Sequence, residues 1–547
     1  TGQWCVYPDL KGSGKETDFL KEKNLEIFRD FAETGGVLKY SKQFHESSGA
    51  FQVLLYKQEI EMMLRTPGAA GFQLLGLEDY PGHGFAPVGI VDAYGNEKTY
   101  ISPDEFRQFC GPVIPLALIE RRVWQNNEIF RAEIKVANYG GEDIPNPVLI
   151  WEIADNDGKQ RARGTIENKL IPNGGLVFLD SIQLDLDSFS NAQKLQLTLG
   201  LSNPTVKNHW DFWVYPSDNA LQDVKDILIF RQLDESMLKA IDSGKKILFI
   251  PEKNAVKAHN PGSFESIFWS TWSGTGTLGI HCEDSHPSLS EFPTENHTNW
   301  QWWELLRTSL PLDLTGIELQ EDPVVQVIDN WIRARKLGIL FEFSIGESKI
   351  LVCAMDIENN PEERFVARQL RNSLIKYLDS KDFKPKSEIT LEDFESILGT
   401  NLKGIAAMGA TVFTNQEFPP NLASNIADGD ESSYWEAGIV PEDYFELVIE
   451  LPGYVTLDGL RLIPFGAGHD APRISYDIFL SNDGTEWDYP VYEGFYPPND
   501  EKDRTIRFSA TQNARFIKIQ FCDENGSVVP YVSLAELELI LNESVNQ

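Results

Sequence analysis

Two stretches of the chain alternate apolar and polar positions with period two. Phe130, Ala132, Ile134 and Val136 share one face of FRAEIKVAN, and Leu195, Leu197, Leu199 and Leu201 share one face of KLQLTLGLS. Such alternation predicts half-buried strands, and Asp157-Gly158 between the runs predicts a hairpin turn. Short strands joined by tight turns make residues 112–218 a β-sandwich. Upstream the period lengthens. Val53, Leu54, Ile60, Met63 and Leu64 form a wide helical stripe over residues 49–66, and Pro67-Gly68 marks its end. The next run, GFQLLGLEDYPGHG at 71–84, reads as one buried strand entering a polar loop that carries Glu78, Asp79 and His83. Downstream, residues 226–230 form a short apolar strand. Leu233, Met237, Leu238 and Ile241 then make a helical stripe closed by Ser243-Gly244, and KILFIP is a second strand. Strand, helix, strand predicts a parallel sheet. ILFEFSIGESKILVCAMDI adds a hairpin around Gly346, and Val366, Leu370, Leu374 and Tyr377 mark a closing helix.

The chain has 547 residues, enough for three to five domains at the usual size of about 100 to 200 residues each. Its 48 basic and 83 acidic residues leave a net charge of −35. That field repels phosphate backbones and anionic lipid, so neither nucleic acid nor membrane insertion is expected. No apolar run is long enough to span a bilayer. Five widely spaced cysteines, Cys5, Cys110, Cys282, Cys353 and Cys522, form no C-x-x-C pair and read as free thiols. His281, Cys282, Asp284 and His286 crowd together but match no zinc spacing. The aromatic runs HWDFWVYP at 209–216 and NWQWWELL at 299–306, with Trp269 and Trp272, read mainly as packing surfaces rather than sugar platforms. Lys57, Glu59 and Glu61 on the long helix read as solvated.

Residues from TGQWCVYPDL through the helix and strand above to SPDEFRQFCGPVIPLA at 102–117 resemble the last part of the (β/α)8 barrel of glycoside hydrolase family 2, the β-galactosidase and β-glucuronidase family. The resemblance implies a glutamate nucleophile followed closely by a Gly-Gln-aromatic stretch, here Gly2-Gln3-Trp4. It places that glutamate before Thr1 and the general acid/base further upstream, so no residue of this chain is assigned as catalytic and the chain is expected to be inactive alone. Retaining glycosidases hold the two carboxylates roughly 5 Å apart. Gln3, Trp4, Glu78, Asp79 and His83 are the implied substrate-lining groups. Glu78 and Asp79 are adjacent, so their side chains diverge on an extended backbone. An immunoglobulin-like sandwich follows the barrel in that family. Residues 219–384 are similar to the glutamine-amidotransferase-like domains of some multidomain glycosidases, but no G-x-C-x-G nucleophile elbow occurs, which implies the fold without the amidotransferase activity.

SNIADGDESSYW at 424–435, PRISYDIFLSNDGTEW at 472–487, ARFIKIQF at 514–521 and SLAELEL at 533–539 resemble, in this order, discoidin or coagulation-factor type C domains. These are galactose-binding-like sandwiches, many of them carbohydrate-binding. The resemblance implies a structural calcium ion held by Asp428, Asp430, Ser433 and Glu536, with backbone help from Asn425, because calcium takes six to eight oxygen ligands. It also implies a sugar face drawn from Phe465, His469, Arg473 and Tyr496. The expected chain is multidomain, α/β plus all-β. It comprises the end of a (β/α)8 barrel (1–111), an immunoglobulin-like β-sandwich (112–218), a flavodoxin-like α/β domain (219–384), a linker (385–400) and a galactose-binding-like β-sandwich (401–547). The expected role is the C-terminal portion of a retaining exo-β-glycosidase acting on poly- or oligosaccharide, in the periplasm or outside the cell. A non-catalytic carbohydrate-binding assembly is the alternative.

Overall fold

The computed structural model describes residues 2–11, 23–69, 71–80, 86–218, 225–256, 262–264, 266–267, 276–399, 404–417, 421–431, 433–438, 444–465, 474–496, 504–523 and 531–542. The chain divides into two compact units, one ending at Leu398 and one beginning at Gly399.

In the first unit the long helix is Ser41–Arg65, starting earlier than the apolar stripe alone predicts. The sequence before Gly49 is polar, yet Ser41, Phe44, Ser47 and Ser48 are buried. Ser41 and Ser48 accept the backbone amides of Leu10 and Tyr7 at 2.7 and 2.9 Å, so hydroxyls rather than alkyl groups dock the N-terminal segment there. Tyr7 and Phe44 then join Leu278, Ile328 and Trp331 in one core cluster. Residues 71–80 are not a strand. Their pairings are local: Asp79 N donates to Val91 O at 3.1 Å, Tyr80 N to Ala86 O at 3.0 Å and Ile90 N to Leu77 O at 2.8 Å. A barrel strand needs continuous ladders on both edges, and among the described residues before Val113 only isolated bridges occur. Leu75 is accordingly exposed.

Residues 113–215 form two sheets face to face. One has the strands Val113–Ile119, Ile129–Asn138 and Gly175–Asp185 in that order. The other runs Val123–Gln125, Thr205–Tyr215, Gln193–Ser202, Val148–Asp155, Gln160–Glu167. The period-two stripes line the space between them: Phe130, Ile134, Leu195, Leu197 and Leu199 have no solvent access, and Phe130 stacks on Phe212 at 4.2 Å. Trp213 and Tyr215 point the other way. Trp213 Nε1 donates to Pro293 O at 2.9 Å and Tyr215 OH to Gln301 Oε1 at 2.6 Å, fastening the sandwich to the α/β part of the same unit.

That α/β part is built on a mixed sheet, ordered Ile227–Phe230, Lys246–Phe249, Ser348–Cys353, Lys336–Ile345, Val325–Asp329, Thr277–Cys282. The first three strands are parallel, as the strand-helix-strand run predicts. The last three pairings are antiparallel, so the sheet is not the doubly wound, flavodoxin-like arrangement. The cause is visible in the sequence. Ile345 pairs with Ser348 across the turn at Gly346, and a connection that short cannot cross over to a parallel strand. Helix Phe365–Asp379 covers the sheet with Val366, Leu370, Leu374 and Tyr377 buried. The expected linker is also corrected. Thr390 and Asp393 form a capping box on helix Leu391–Ile397, and Phe394, Ile397 and Leu398 belong to the same core.

Glu61 is the largest departure from the solvated reading of the long helix. Its side chain is 1% exposed and accepts from Lys57 Nζ at 2.7 Å, Arg65 Nη1 at 3.2 Å, Asn208 Nδ2 at 2.9 Å and Trp210 Nε1 at 2.8 Å. Burial raises its carboxyl, but Lys57 and the hydrogen bonds outweigh this and hold it below the usual range.

The second unit is an antiparallel sandwich of the strands Thr411–Thr414, Trp435–Gly438, Phe445–Pro464, Ile474–Ser481, Tyr492–Tyr496, Arg504–Asp523 and Tyr531–Leu541. Phe445–Pro464 and Arg504–Asp523 pair along their lengths, with register shifts after Glu450 and Leu457 that bend the ladder. At the second shift a Cβ on Gly459 would lie 1.9 Å from Ile506 O, so only glycine allows the two backbones to meet. Trp435, Leu447, Tyr476, Ile519, Phe521 and Leu537 fill the interior.

Glu61→Ala leaves Lys57 buried without its carboxylate, and urea unfolding of the first unit shows a loss of about 3 kcal/mol; a loss below about 1 kcal/mol contradicts the network's role. Glu342, which accepts Tyr377 OH at 2.8 Å, is pushed up to about 7 by burial and by Glu321 against that hydrogen bond. A raised carboxyl favours the protonated folded state, so its contribution is present below about pH 4.5 and declines as pH rises toward 7. Glu342→Gln, neutral throughout, gains about 3 kcal/mol over the parent at pH 7.5 and nothing at pH 4. Equal stabilities at both pH values contradict this assignment.

Candidate functional site

SNIADGDESSYW places its chemistry in a loop between a short 3-10 turn and a strand. Residues Ala423–Ala427 wind once, Asp428 closes the turn, and Gly429 adopts φ of +78°, which an L side chain resists. Asp430 N donates to Asp428 Oδ1 at 2.9 Å, an Asx turn that fixes the carboxylate. Its other oxygen accepts from Ser433 Oγ at 2.7 Å. Glu536 arrives from the last strand, 2% exposed, and accepts from Gly429 N at 2.7 Å. First loop and last strand are thereby joined, although 108 positions separate Asp428 from Glu536.

Two carboxylates removed from water share this loop. Burial, then the nearby Asp428 against the Gly429 amide, pushes Glu536 up to about 8, and burial pushes Asp428 up to about 6. No cationic side chain neutralises either among the ion pairs of the described residues. Ser433 Oγ also lies 3.4 Å from Asn425 O and 3.2 Å from Asp430 O. The donors assembled here are carboxylate, hydroxyl and carbonyl oxygens, which suit a hard cation such as calcium and not zinc. Asp430 is exposed and joins through its backbone. Among the described residues no three His, Cys, Asp or Glu side chains converge, so the set consists of two carboxylates completed by neutral oxygens.

Beside this loop Tyr434 and Phe465 stack in parallel at 3.6 Å with 8° between their planes, both half-buried. Phe465 O accepts from Ser533 Oγ at 2.9 Å, which ties the platform to the last strand. Tyr434 was not singled out in sequence. Its signal is its place directly after Ser433, where a β-strand start turns it beside the loop. His469 and Arg473 lie outside the described residues. Tyr496 ends the strand Tyr492–Tyr496, paired with Ile474.

The residues assigned to a barrel mouth sit in the first unit and do not form one cluster of lining groups. Gln3 is buried and its Oε1 accepts no hydrogen bond. Trp4 O accepts Gln52 Nε2 at 2.6 Å from the long helix. Asp79 is buried and accepts from Lys98 Nζ at 2.7 Å and Gly89 N at 2.8 Å, which makes it a structural ion pair rather than a sugar ligand. Burial raises its carboxyl and Lys98 opposes this. Glu78 is exposed, and His83 lies outside the described residues. Of the aromatic runs, Trp302 is fully buried with Nε1 on Thr294 Oγ1 at 2.9 Å, while Trp303 is exposed and Arg307 sits over its ring. Trp269 and Trp272 lie outside the described residues. His286 caps Ser288 N through Nδ1, and His281 Nδ1 meets Ser47 Oγ at 3.0 Å, so neither is poised as a metal ligand.

Family models match three stretches of the chain. Residues 128–216 match a domain of unknown function (DUF8488) and 228–399 match another (DUF8487). Residues 410–537 match the F5/8 type C domain. Curated relatives include a sialidase of Micromonospora viridifaciens, 29% identical over 121 residues (21% of this chain, 18% of the sialidase). A galactose oxidase of Gibberella zeae is 26% identical over 127 residues (22% and 18%). The chain thus spans less than a fifth of the length of these relatives. Solved structures with similarity include a family 32 carbohydrate-binding module of Clostridium perfringens NanJ in complex with galactose (23% identity, 25% of this chain, 96% of that one, TM-score 0.21). A pectin-binding module is 22% identical (25% and 91%, TM-score 0.21). Residues 410–537 are an F5/8 type C domain, an all-β galactose-binding-like sandwich.

The oxygen set makes a direct prediction. In scanning calorimetry of the full chain, calcium at a hundredfold excess over its Kd stabilises the second unit by about 2.7 kcal/mol, and chelator reverses the shift. Asp428→Ala removes the response. A melting curve indifferent to both calcium and chelator rules the cation out.

Proposed function

We propose that this chain binds poly- or oligosaccharide through its C-terminal F5/8 type C domain, with a structural calcium ion bracing the loop of Asp428 and Ser433 against Glu536. The observation that carries this reading is the match of residues 410–537 to a domain type that commonly holds sugars. The half-buried Tyr434–Phe465 stack supports it, because the C–H face of a pyranose packs on an aromatic surface and these rings border the braced loop. Phe465, His469, Arg473 and Tyr496 form the proposed sugar face, with Tyr434 added to it. Galactose-type sugars are the first candidates, given the name of the galactose oxidase relative.

The finer reading is that the chain is a portion of a retaining exo-β-glycosidase of the β-galactosidase type, acting on complex glycans outside the cytoplasm. It rests on the resemblance of residues 1–117 to the end of the glycoside hydrolase family 2 barrel. Under it Gln3, Trp4, Glu78 and His83 belong to the substrate region, while Asp79 serves the scaffold through Lys98. No helix among the described residues is long and apolar enough to cross a membrane. In residues 228–399 the cysteines Cys282 and Cys353 are buried, and burial pushes their thiols up.

On a glycan array the full chain binds galactose-terminated glycans in the presence of calcium. Phe465→Ala and His469→Ala each weaken that binding at least tenfold while leaving the calcium-dependent melting shift intact. Undiminished binding by both variants overturns the proposed face. Turnover of aryl β-glycosides lost on changing Glu78 would locate catalysis within this chain instead.

A further inference from the structure

A cavity of about 730 Å³ opens in the first unit, away from the sequence motifs that drew attention to function. One wall is the loop 314–320, and another is the turn at Gly35–Gly36 with Lys39. Lys336, the first residue of the strand Lys336–Ile345, lines it as well. Its backbone is committed: its N–H donates to Thr315 Oγ1 at 3.1 Å and its carbonyl accepts from Leu314 N at 2.7 Å. Its side chain is not. Lys336 is 7% exposed, and its ammonium makes no hydrogen bond or ion pair with any described residue.

The acid whose charge acts on Lys336, Asp322, is already hydrogen-bonded. Asp322 Oδ1 accepts Lys39 Nζ at 2.8 Å and also the Tyr40 hydroxyl. Burial, with Lys39 adding to it and Asp322 opposing, holds the Lys336 ammonium below the ordinary lysine range. An ammonium withdrawn from water without a hydrogen-bonded partner is costly, and a perturbed group of this kind lining a cleft marks a candidate ligand site. The remaining polar lining is of the opposite kind: Glu318, Gln320, Glu388 and Asp393 border the same space, the Asp393 carboxylate already held by Thr390. A ligand with several negative charges would meet those carboxylates. A ligand with one negative charge and several hydroxyl donors satisfies both halves, the anion on the lysine and the hydroxyls on the acceptors. The volume falls in the range of small-ligand sites, about 300 to 1,000 Å³.

We infer that this cavity binds an anionic sugar unit, a carboxylated or sulfated monosaccharide, whose charged group sits on Lys336 Nζ and whose hydroxyls are held by Glu318, Gln320 and Glu388. The site is separate from the F5/8 type C domain and stands or falls independently of it. Isothermal titration of the full chain with glucuronic acid, glucose 6-sulfate, glucose and sodium acetate tests it. At least one of the two acidic sugars binds, and glucose and acetate bind at least tenfold more weakly; which acidic sugar wins identifies the anionic group. Lys336→Met loses that binding at least tenfold, with stoichiometry falling by one site, and Lys336→Arg keeps it. Replacing an unpaired buried charge with methionine leaves the melting temperature unchanged or higher. A measurement on the parent chain needs no variant: the bound acidic sugar slows reductive methylation of Lys336 at least fivefold. Glucose binding as tightly as the acidic sugars, a folded Lys336→Met variant that binds like the parent, or unprotected methylation at saturating ligand each overturns the site.

Discussion

Glu61 holds the first unit together. A carboxylate buried to 1% exposure is tolerated only when donors surround it, and here they come from two directions, Lys57 and Arg65 from its own helix and Asn208 and Trp210 from the sandwich. Helix and sandwich are therefore fixed in one relative position by charge and hydrogen-bond geometry, not only by apolar contact. The same rule recurs at Asp79, met by Lys98 and the Gly89 amide, and at Asp329, met by Arg333 at 2.6 Å and Arg335 at 2.9 Å. Asp428 and Glu536 in the second unit break the rule. Their shared loop supplies hydroxyl, carbonyl and amide groups but no cationic side chain, and both carboxyls are pushed upward. That contrast is the physical basis for placing a cation there.

What was legible in sequence was periodicity. The stripes at Phe130 to Val136 and Leu195 to Leu201, and the helix face of Val366, Leu370, Leu374 and Tyr377, follow from pattern alone because each faces a single core. The run 71–80 misled because apolar residues bounded by glycine read the same whether or not neighbouring strands exist to pair with them; the hydrogen bonds went to Val91 and Ala86 instead. Glu61 was invisible for a related reason. A charged residue on a helix announces solvent unless its partners are known, and Asn208 and Trp210 lie about 150 positions away. The mixed sheet was half legible, since the two-residue turn at Gly346 already forbade a parallel neighbour.

In the candidate site, the resemblance carried by SNIADGDESSYW and SLAELEL pointed to the loop and the late glutamate, which the fold joins at the Gly429 amide. Sequence missed Tyr434, whose role depends on a ring contact with Phe465 across 31 positions. It also missed Lys336, which sits in an unremarkable strand start and becomes chemically informative only once Lys39, Tyr40 and Asp322 are seen to satisfy one another. Both residues show the same limit. Sequence motifs report groups that act with their neighbours in the chain, while folding assembles the rest.

The proposed face for galactose-type sugars lies in the second unit, beside the braced loop. Hydrogen–deuterium exchange of the full chain with calcium, with and without galactose, tests it most directly. The account predicts that sugar slows exchange in peptides covering residues 424–438 and 460–480, with residues 113–215 unchanged. Galactose-dependent protection confined to the first unit, or none at saturating sugar, contradicts it.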